Sequence, residues 1–315
     1  MISISKIANF QQLFASQDSK QSVFMLGIAM AILSNILFAV LYAYGKWLAP
    51  LSGTQVFLWR MVMMWVCLAV VLVLTGKIWQ VKDELAQIGT LKNWLYFVIP
   101  TPILASQLWL FMWAPLHGQG VQVAMGYFLF PLAMVLSGWL VFREKLSSLQ
   151  KLAAFLAAAG VMTEILRTGS VSWATLWVCG TYPIYYVMRR KVAVGALTGL
   201  FFDVSIIAPV CLAYLLMTDI ATVGTSSVLL LKVLGLGAIS VLAIFSNVEA
   251  SRLLPVSVFG MLSYLEPLLL FVLAMTVLGS VVTPAMLLGY GLIWAGIACL
   301  IAQGILTKKS ANSFN

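Results

Sequence analysis

Three charged residues lie inside long apolar stretches of this sequence, where a charge is costly. Arg60, Asp203 and Glu266 are each surrounded by aliphatic and aromatic residues. A charge at the centre of a bilayer costs about 3 kcal/mol on insertion scales, and such residues commonly mark a substrate site or an ion pathway. Arg60 and Asp203 are therefore candidate substrate-contacting residues or partners in an ion-pair gate. The alternative is a static salt bridge that holds the two halves of the protein together.

Glu266 differs from the other two because a proline follows it. Pro267 cannot donate a backbone hydrogen bond, so it leaves a carbonyl one turn earlier without its helical partner. Freed backbone groups at membrane depth are tolerated where they line a cavity. We predict that Glu266 lines a central cavity and binds a solute or a proton there. The alternative is a protonated carboxyl group that is hydrogen-bonded inside the protein.

Aromatic and amide side chains could complete a binding site for an organic molecule. Gln107, Trp109 and Trp113 recur at helical spacing in one apolar stretch, and Tyr127 and Tyr264 each lie a few residues before a proline. Such rings suit aromatic or amphipathic solutes and can hold cationic groups. Ordinary helix packing, or a belt of aromatic residues at the membrane interface, is the alternative for these positions.

The elements that carry these residues must be transmembrane helices. Hydrophobic residues make up 63% of the 315-residue chain and charged residues only 9%, whereas a soluble domain is about half apolar and about a quarter charged. A soluble fold could not bury so much apolar surface. The net charge of +9 comes from basic residues at the ends of apolar stretches, which is typical of membrane proteins and argues against nucleic-acid binding.

A transmembrane helix needs about 20 consecutive, mostly apolar residues, and by this criterion the sequence contains ten. The fold class is therefore all-α membrane, with tails at residues 1–22 and 307–315. We predict spans at 23–45, 55–75, 93–114, 121–142, 149–166, 171–188, 196–217, 228–249, 256–279 and 284–306.

The distribution of Lys and Arg supports this number of helices. If the N-terminus lies in the cytoplasm, all but four of the 18 basic residues fall on the cytoplasmic side of the membrane. The exceptions are Lys46, Arg60, Arg167 and Lys232. Because a wrong number of helices would mix the two sides, this asymmetry predicts a multi-pass inner-membrane protein with both termini in the cytoplasm.

Two similar stretches of sequence indicate an internal repeat. Aligning Pro131 with Pro267 also aligns Gly160 with Gly296 without a gap. Each half then contains five helices, an odd number, so the halves must insert with opposite orientations. Inverted repeats of this kind commonly build transporters that open alternately to the two sides. The predicted halves are residues 23–166 and 171–306.

Several short motifs carry a resemblance to a known family. They are Trp59-Arg60, Gly126-Tyr127-Phe128 through Pro131-Leu132, Phe142-Arg143-Glu144-Lys145, Tyr185-Tyr186 before Arg189-Arg190-Lys191, and Thr198-Gly199 leading to Asp203 and Pro209. With these motifs, residues of about 22–306 resemble the drug/metabolite transporter superfamily, and within it the EamA branch of the RarD type. The resemblance implies a permease with ten helices, arranged as two inverted five-helix repeats around a central cavity.

Two positions depart from the pattern of that family. Ser280 stands where the second repeat would carry the counterpart of Glu144, and Gln122 stands where RarD-type proteins tend to have Glu. Both changes remove a carboxylate. They therefore bear on substrate choice and ion coupling rather than on the fold.

We expect a gradient-driven secondary transporter of small organic metabolites or drugs, with that solute and the membrane lipid as its partners. The sequence has no Walker A motif for ATP and none of the common hydrolase, zinc-protease or dinucleotide motifs. Its four cysteines do not have metal-binding spacing. We therefore expect neither catalysis nor a cofactor nor a metal. The alternatives are an integral-membrane enzyme that acts on lipid or isoprenoid substrates, and a passive pore or assembly partner.

The predicted topology can be tested by labelling introduced cysteines. Lys82 lies in a predicted cytoplasmic loop and His117 in a predicted external loop, so Lys82→Cys and His117→Cys should react with an impermeant thiol reagent from opposite sides of the membrane. Labelling of both positions from outside intact cells would show that the number of helices is wrong.

Overall fold

The computed structural model describes residues 17–117, 119–169, 172–192, 194–218 and 226–269, and short pieces at 287–289, 291–292, 294–296 and 298–299. Within these residues the secondary structure is helical, without β-strands. The α-helices are α1 (Gln17–Tyr44), α2 (Gly53–Leu74), α3 (Ile78–Ala86), α4 (Leu91–Val98), α5 (Pro100–Trp113), α6 (Gly120–Phe142), α7 (Ser148–Thr168), α8 (Trp173–Lys191), α9 (Ala196–Thr218), α10 (Ser227–Leu253) and α11 (Val256–Leu262).

Six helical segments in the described residues are long and apolar enough to cross a membrane; one of them, Leu91–Trp113, consists of α4 and α5 together. Shorter apolar helices occur at Gly126–Phe142, Val256–Leu269 and Leu287–Gly296. The first eight predicted spans each coincide with a described helix or helix pair. The ninth and tenth predicted spans extend beyond the described residues. Ser280, residues 1–16 of the N-terminal tail and the C-terminal tail lie outside the described residues. The chain is thus an all-α membrane protein, and the full set of ten spans stays a prediction.

The bundle is built around α2, α6 and α10. Helix α10 packs along α1 and α2, α9 also packs on α2, and α6 lies between α8 and α11. Glycines allow the closest of these approaches: a Cβ at Gly126 of α6 would lie 2.5 Å from the Cβ of Val178, and one at Gly260 of α11 would lie 2.5 Å from the Cβ of Met134. Any larger residue would push these helices apart.

Small residues also bring α7 against the last predicted span. A Cβ at Gly289 would lie 2.8 Å from the hydroxyl of Thr163, and one at Gly296 would lie 3.0 Å from the carbonyl oxygen of Ala153. The sequence places glycines and alanines at these positions, where helices in lipid associate by close backbone packing rather than by a hydrophobic driving force.

Two carboxylates, Glu84 in α3 and Glu144 just after α6, hold the first turns of α9 and α11. Glu84 accepts a hydrogen bond from the backbone N–H of Gly195 (2.6 Å), next to the start of α9. Burial raises the pKa of Glu84, but hydrogen bonds from Gln80 and Gly195 outweigh that effect, so the pKa lies below its usual value. The carboxylate is therefore charged at neutral pH, as a contact with the positive end of a helix requires.

Glu144 forms the second of these contacts, between the end of α6 and the start of α11. It follows Arg143, whose left-handed backbone (φ 54°) ends α6. Its carboxylate accepts hydrogen bonds from the backbone N–H groups of Val256 (2.6 Å) and Ser257 (2.8 Å), and from the Ser257 hydroxyl (2.6 Å). These charge-assisted bonds satisfy amides that a helix leaves without partners.

We predict that Glu144→Ala destabilises the protein by about 3 kcal/mol, since it leaves amides at the start of α11 without their charged acceptor. Glu144→Gln keeps one acceptor oxygen and should lose about 1 kcal/mol. The free energy of unfolding, measured by denaturant titration in detergent, checks both values. Lys145→Ala changes the exposed neighbouring residue and is the matched control. Equal stability of the Glu144→Ala and Lys145→Ala variants would contradict this role.

Candidate functional site

A cavity lies in the centre of the helix bundle, where α1, α2, α5, α6, α8 and α10 meet the chain that follows α11. Its volume is about 30 Å³, which is room for about two water molecules. Both polar and aromatic side chains surround it. The lining residues are Phe38, Arg60, Leu108, Phe111, Tyr127, Phe130, Tyr182, Tyr186, Asn247, Ser263 and Glu266.

Three of the lining residues immediately precede a proline within a helical segment. They are Phe130 before Pro131 in α6, Tyr182 before Pro183 in α8, and Glu266 before Pro267. A proline inside a helix removes one backbone hydrogen bond and bends the chain. The cavity therefore lies at the level where several helices have an interrupted hydrogen-bond ladder, as expected for irregular backbone inside a membrane.

The interruption is most complete after α11. That helix ends at Leu262, a turn occupies Ser263 and Tyr264, and the helix resumes at Leu265. The backbone N–H of Glu266 donates to the carbonyl of Ser263, over 3.4 Å. Ser263 and Glu266 thus enter the cavity wall from a broken helix, a position that transporters commonly use for binding sites.

Arg60 enters the cavity from α2 and is almost completely buried, with 1% of its surface exposed. Its Nε donates a hydrogen bond to the hydroxyl of Ser240 on α10 (2.9 Å). Its Nη1 and Nη2 atoms have no hydrogen-bond acceptor among the described residues. Because an unsatisfied buried donor is costly, the two free nitrogens indicate that a water molecule or a ligand completes this group.

Glu266 also lines the cavity, which is where we predicted it. Its charge and that of Arg60 are close enough to attract each other. They do not form an ion pair within 4.0 Å in the described structure. The two groups therefore face a shared space instead of neutralising each other by direct contact.

Tyr182, Tyr186 and Asn247 form a polar wall that the sequence did not lead us to predict. The rings of Tyr182 and Tyr186 stack with their centroids 5.5 Å apart, and the Tyr186 hydroxyl donates a hydrogen bond to the Asn247 side chain. The Asn247 amide in turn donates to the hydroxyl of Ser34 on α1 (3.2 Å). Tyr182 and Tyr186 are four residues apart, so they lie on one face of α8, and Pro183 lies between them. This spacing is the sequence pattern from which a cavity-lining face of α8 could have been predicted.

Tyr127 lies in the cavity wall and packs edge-on against Phe111, with the ring centroids 5.8 Å apart. Tyr264 does not lie there. It is buried in a separate cluster with Phe128 of α6 and with Ala157 and Val161 of α7. The two tyrosines that the sequence paired as neighbours of prolines thus lie in different surroundings, and the alignment of Pro131 with Pro267 does not place them at equivalent positions.

Gln107 links α5 to α8 and is not among the residues that line the cavity. Its amide nitrogen donates to the Thr181 hydroxyl (2.7 Å) and to the carbonyl of Trp177 (3.2 Å), both on α8. The residue is completely buried. Its neighbour Leu108 and the later residue Phe111 are the positions of α5 that reach the cavity.

Trp109 and Trp113 form an aromatic stack on α5 instead of lining the cavity. Their ring centroids lie 5.0 Å apart, and Trp113 stacks in turn on His117, with 4.2 Å between the centroids. The Nδ1 atom of His117 lies 2.9 Å from the carbonyl oxygen of Trp113. This stack packs partly buried against the core at the predicted external end of the bundle.

Asp203 pairs with Arg189 and not with Arg60. The carboxylate forms an ion pair with the Arg189 guanidinium and accepts a hydrogen bond from the Thr101 hydroxyl (2.5 Å). The Arg189 guanidinium also lies over the Phe97 ring, 4.4 Å from its centroid. Asp203 is completely buried and lies outside the cavity lining. The ion pair joins the start of α9 to the end of α8, and the expected gate between Arg60 and Asp203 is not present in this structure.

No group of three His, Cys, Asp or Glu side chains that could hold a metal ion occurs within the described ranges. The polar atoms of the cavity are instead a guanidinium, a carboxylate, phenols, an amide and a hydroxyl. This set suits a small organic molecule with both polar and aromatic parts.

Removing one partner of the Arg189–Asp203 pair should destabilise the protein more than removing both. Asp203→Asn leaves a buried guanidinium without its counter-charge, which costs about 3–5 kcal/mol, whereas apolar replacement of a whole buried pair is often close to neutral. We therefore expect the double variant Arg189→Met and Asp203→Leu to unfold at higher denaturant concentration than Asp203→Asn. Additive losses in the free energy of unfolding would contradict the pairing.

Comparison with known proteins agrees with this arrangement. The model of the EamA-like transporter family matches residues 25–164. An uncharacterized transporter of Haemophilus influenzae is 41% identical over 92% of this chain and 98% of its own length.

The chloramphenicol-sensitive protein RarD of Pseudomonas aeruginosa is 35% identical over 86% of this chain and 92% of its own length. A solved crystal structure with 16% sequence identity has a TM-score of 0.64, covering 90% of this chain and 99% of the other, and so shares its fold. The names of the family and of the Haemophilus influenzae relative are those of transporters, not of enzymes. The chain is therefore a multi-pass inner-membrane protein of the EamA-like transporter family, and within the drug/metabolite transporter superfamily it belongs to the RarD-type permeases.

Proposed function

We propose that this protein is a gradient-driven secondary transporter that moves a small organic metabolite or drug through the central cavity by alternating access. The observation that carries the proposal is the cavity itself, which is lined by a carboxylate and by a guanidinium whose two Nη atoms have no acceptor among the described residues. Charged groups at membrane depth that face a cavity are typical of transport sites. The absence of a Walker A motif from the sequence favours an ion gradient over ATP as the energy source.

The positions that line the cavity support the proposed inverted repeat. Tyr127 and Ser263 are separated in sequence by the same distance as Pro131 and Pro267, and both line the cavity. Phe130 and Glu266 are separated by that distance as well, and they too line the cavity.

Phe128 and Tyr264 are a third pair at this separation, and they share one cluster outside the cavity. Equivalent residues thus have equivalent surroundings, as two related five-helix halves require. We propose that the complete protein has ten spans, with residues 23–166 and 171–306 as the halves and both termini in the cytoplasm.

The size of the cavity supports a mechanism in which the helices move. A volume of about 30 Å³ is enough for water but not for a drug-sized molecule. A solute can therefore occupy the site only after the surrounding helices separate. Prolines at the level of the cavity in α6 and α8, and the break after α11, provide the points at which these helices can bend.

Contacts at one end of the bundle indicate which side is closed. The guanidinium of Arg190 donates to the carbonyls of Ser251 (3.1 Å) and Leu254 (2.6 Å), joining the end of α8 to the end of α10. The Glu84 and Glu144 contacts and the Arg189–Asp203 pair involve helix ends on the same predicted side. We propose that this cytoplasmic end is closed in the structure and that these contacts separate when the protein opens inward.

The predicted site residues then divide into three groups by their proposed roles. Arg60, Tyr127 and Glu266 contact the solute or a proton. Gln107, Trp109, Trp113 and Tyr264 support the walls of the cavity from behind. Asp203 takes part in the contacts that close one end of the bundle.

We predict that Glu266→Gln lowers solute flux driven by a pH gradient about tenfold and removes the dependence of flux on pH, because Gln has the same shape but cannot bind or release the proton. Flux is measured in liposomes with an imposed pH gradient and a trapped pH-sensitive dye. The solutes are chloramphenicol, after the printed name of the Pseudomonas relative, and a panel of small metabolites.

Glu249→Gln is the matched control, since Glu249 pairs with Arg252 at the end of α10 and is partly exposed. It should transport as the unmodified protein does. If Glu266→Gln transports with unchanged pH dependence, Glu266 has a structural role only. If the unmodified protein moves no solute of the panel, the proposed function itself fails.

A further inference from the structure

We propose that the cavity binds an organic carboxylate together with one proton, and that it excludes organic cations. The inference rests on the proposed transport function and specifies the substrate class of the same site. It follows from two features of the cavity, namely the free nitrogens of Arg60 and the balance of charges in the lining. Neither feature depends on the direction of transport.

The first feature is the shape of the unsatisfied group. Nε of Arg60 is already used by Ser240, whereas Nη1 and Nη2 have no acceptor in the described structure. A guanidinium presents such nitrogens as a planar fork, which matches the two oxygens of a carboxylate. A neutral carbonyl or an amine could not satisfy both nitrogens in this way.

The second feature is the summed charge of the side chains that line the cavity. Arg60 on α2 is positive and cannot lose its proton inside a protein, and Glu266 supplies one negative charge when ionised. The other titratable groups that face them are Tyr127 on α6 and Tyr182 and Tyr186 on α8, which are phenols and neutral at pH 7. The residues contributed by α1, α5 and α10 carry no charge. The side chains of the lining thus have no net charge when Glu266 is ionised.

This balance determines which solutes the site can accept once the surrounding helices have separated enough to admit one. An organic cation would leave a net positive charge that no group in the lining can remove. An organic anion would leave a net negative charge, but Glu266 can remove it by taking up a proton. Because an uncompensated charge is strongly disfavoured in a buried site, the anion enters with one proton and the cation is rejected.

The remaining lining fits an apolar or aromatic body attached to the carboxylate. Phe38, Phe111 and Phe130 contribute rings from α1, α5 and α6. These rings can contact a flat apolar group by edge-to-face or offset packing. The solute class is therefore a small carboxylic acid with an apolar or aromatic skeleton.

Three compounds with one skeleton and different charges test the proposal on the purified full-length protein in detergent. They are 3-phenylpropanoate, 3-phenylpropanamide and 3-phenylpropylamine, and their binding is measured by thermal stabilisation and calorimetry. We expect the carboxylate to bind at least about tenfold more tightly than the other two. Calorimetry in buffers with different ionisation enthalpies should show uptake of about one proton per bound carboxylate at a pH where Glu266 is ionised. In that range the affinity for the carboxylate should fall about tenfold for each unit by which the pH is raised.

Variants of the two charged residues separate the parts of the proposal. Arg60→Gln should abolish the preference for the carboxylate, and Arg60→Lys should keep the charge but weaken binding because it lacks the planar fork. Glu266→Gln should bind the carboxylate at least as tightly and without proton uptake. If Arg60→Gln does not fold, the three compounds and the other two variants still decide the question.

Equal or tighter binding of the amine, carboxylate binding without proton uptake, or no binding of any of the three compounds would overturn the inference. These outcomes are distinct from a failure of the proposed function. A protein that transports solutes but prefers the amine disproves only the substrate class. A protein that binds the carboxylate with a proton but shows no flux in liposomes disproves only the transport role.

Discussion

A positive charge that cannot be removed lies near the centre of this membrane protein, and its neighbours are arranged around that constraint. Arg60 sits on a helix that is otherwise almost entirely apolar, and its Nε is held by Ser240 on a different helix. The cost of burying a guanidinium requires a counter-charge and polar partners, and Glu266 and the hydrogen-bonded pair Tyr186–Asn247 line the same cavity. Glycines bring the helices that supply these groups close together: a Cβ at Gly237 of α10 would meet Met63 of α2, and one at Gly126 of α6 would meet Val178 of α8.

Arg189 shows what a buried arginine looks like when its charge is used for structure. It forms a direct ion pair with Asp203 and lies against the ring of Phe97. Arg60 has a counter-charge nearby but no ion pair to it within the described residues. Arg60 and Arg189 are both buried, but only the charge of Arg189 is neutralised by a direct ion pair within the described residues. This difference separates a candidate binding residue from a structural one.

The sequence was sufficient to place the first eight predicted spans and insufficient to show which side chains pair between them. Long apolar stretches set the positions of the helices, and the Glu266–Pro267 pair led directly to the cavity, because a carboxylate and a helix break at the same depth leave few alternatives. The Arg60–Asp203 pairing did not hold, since spacing along the chain cannot show which of several basic residues faces a given carboxylate. Tyr182 and Tyr186 were not selected for a related reason: a single sequence cannot show which face of α8 is turned to the cavity.

The prolines have a further consequence for the motion of the protein. In α6 and α8, a backbone hydrogen bond is missing at the level of the cavity whatever the conformation, because proline has no N–H to donate. Bending at these points therefore breaks no bond that the straighter helix possessed. In the alternating-access mechanism proposed above, the enthalpic barrier between the inward-open and outward-open forms would then come from side-chain contacts in the cavity and at the helix ends. Substitutions of these side chains would change the speed of switching without altering the membrane-spanning backbone.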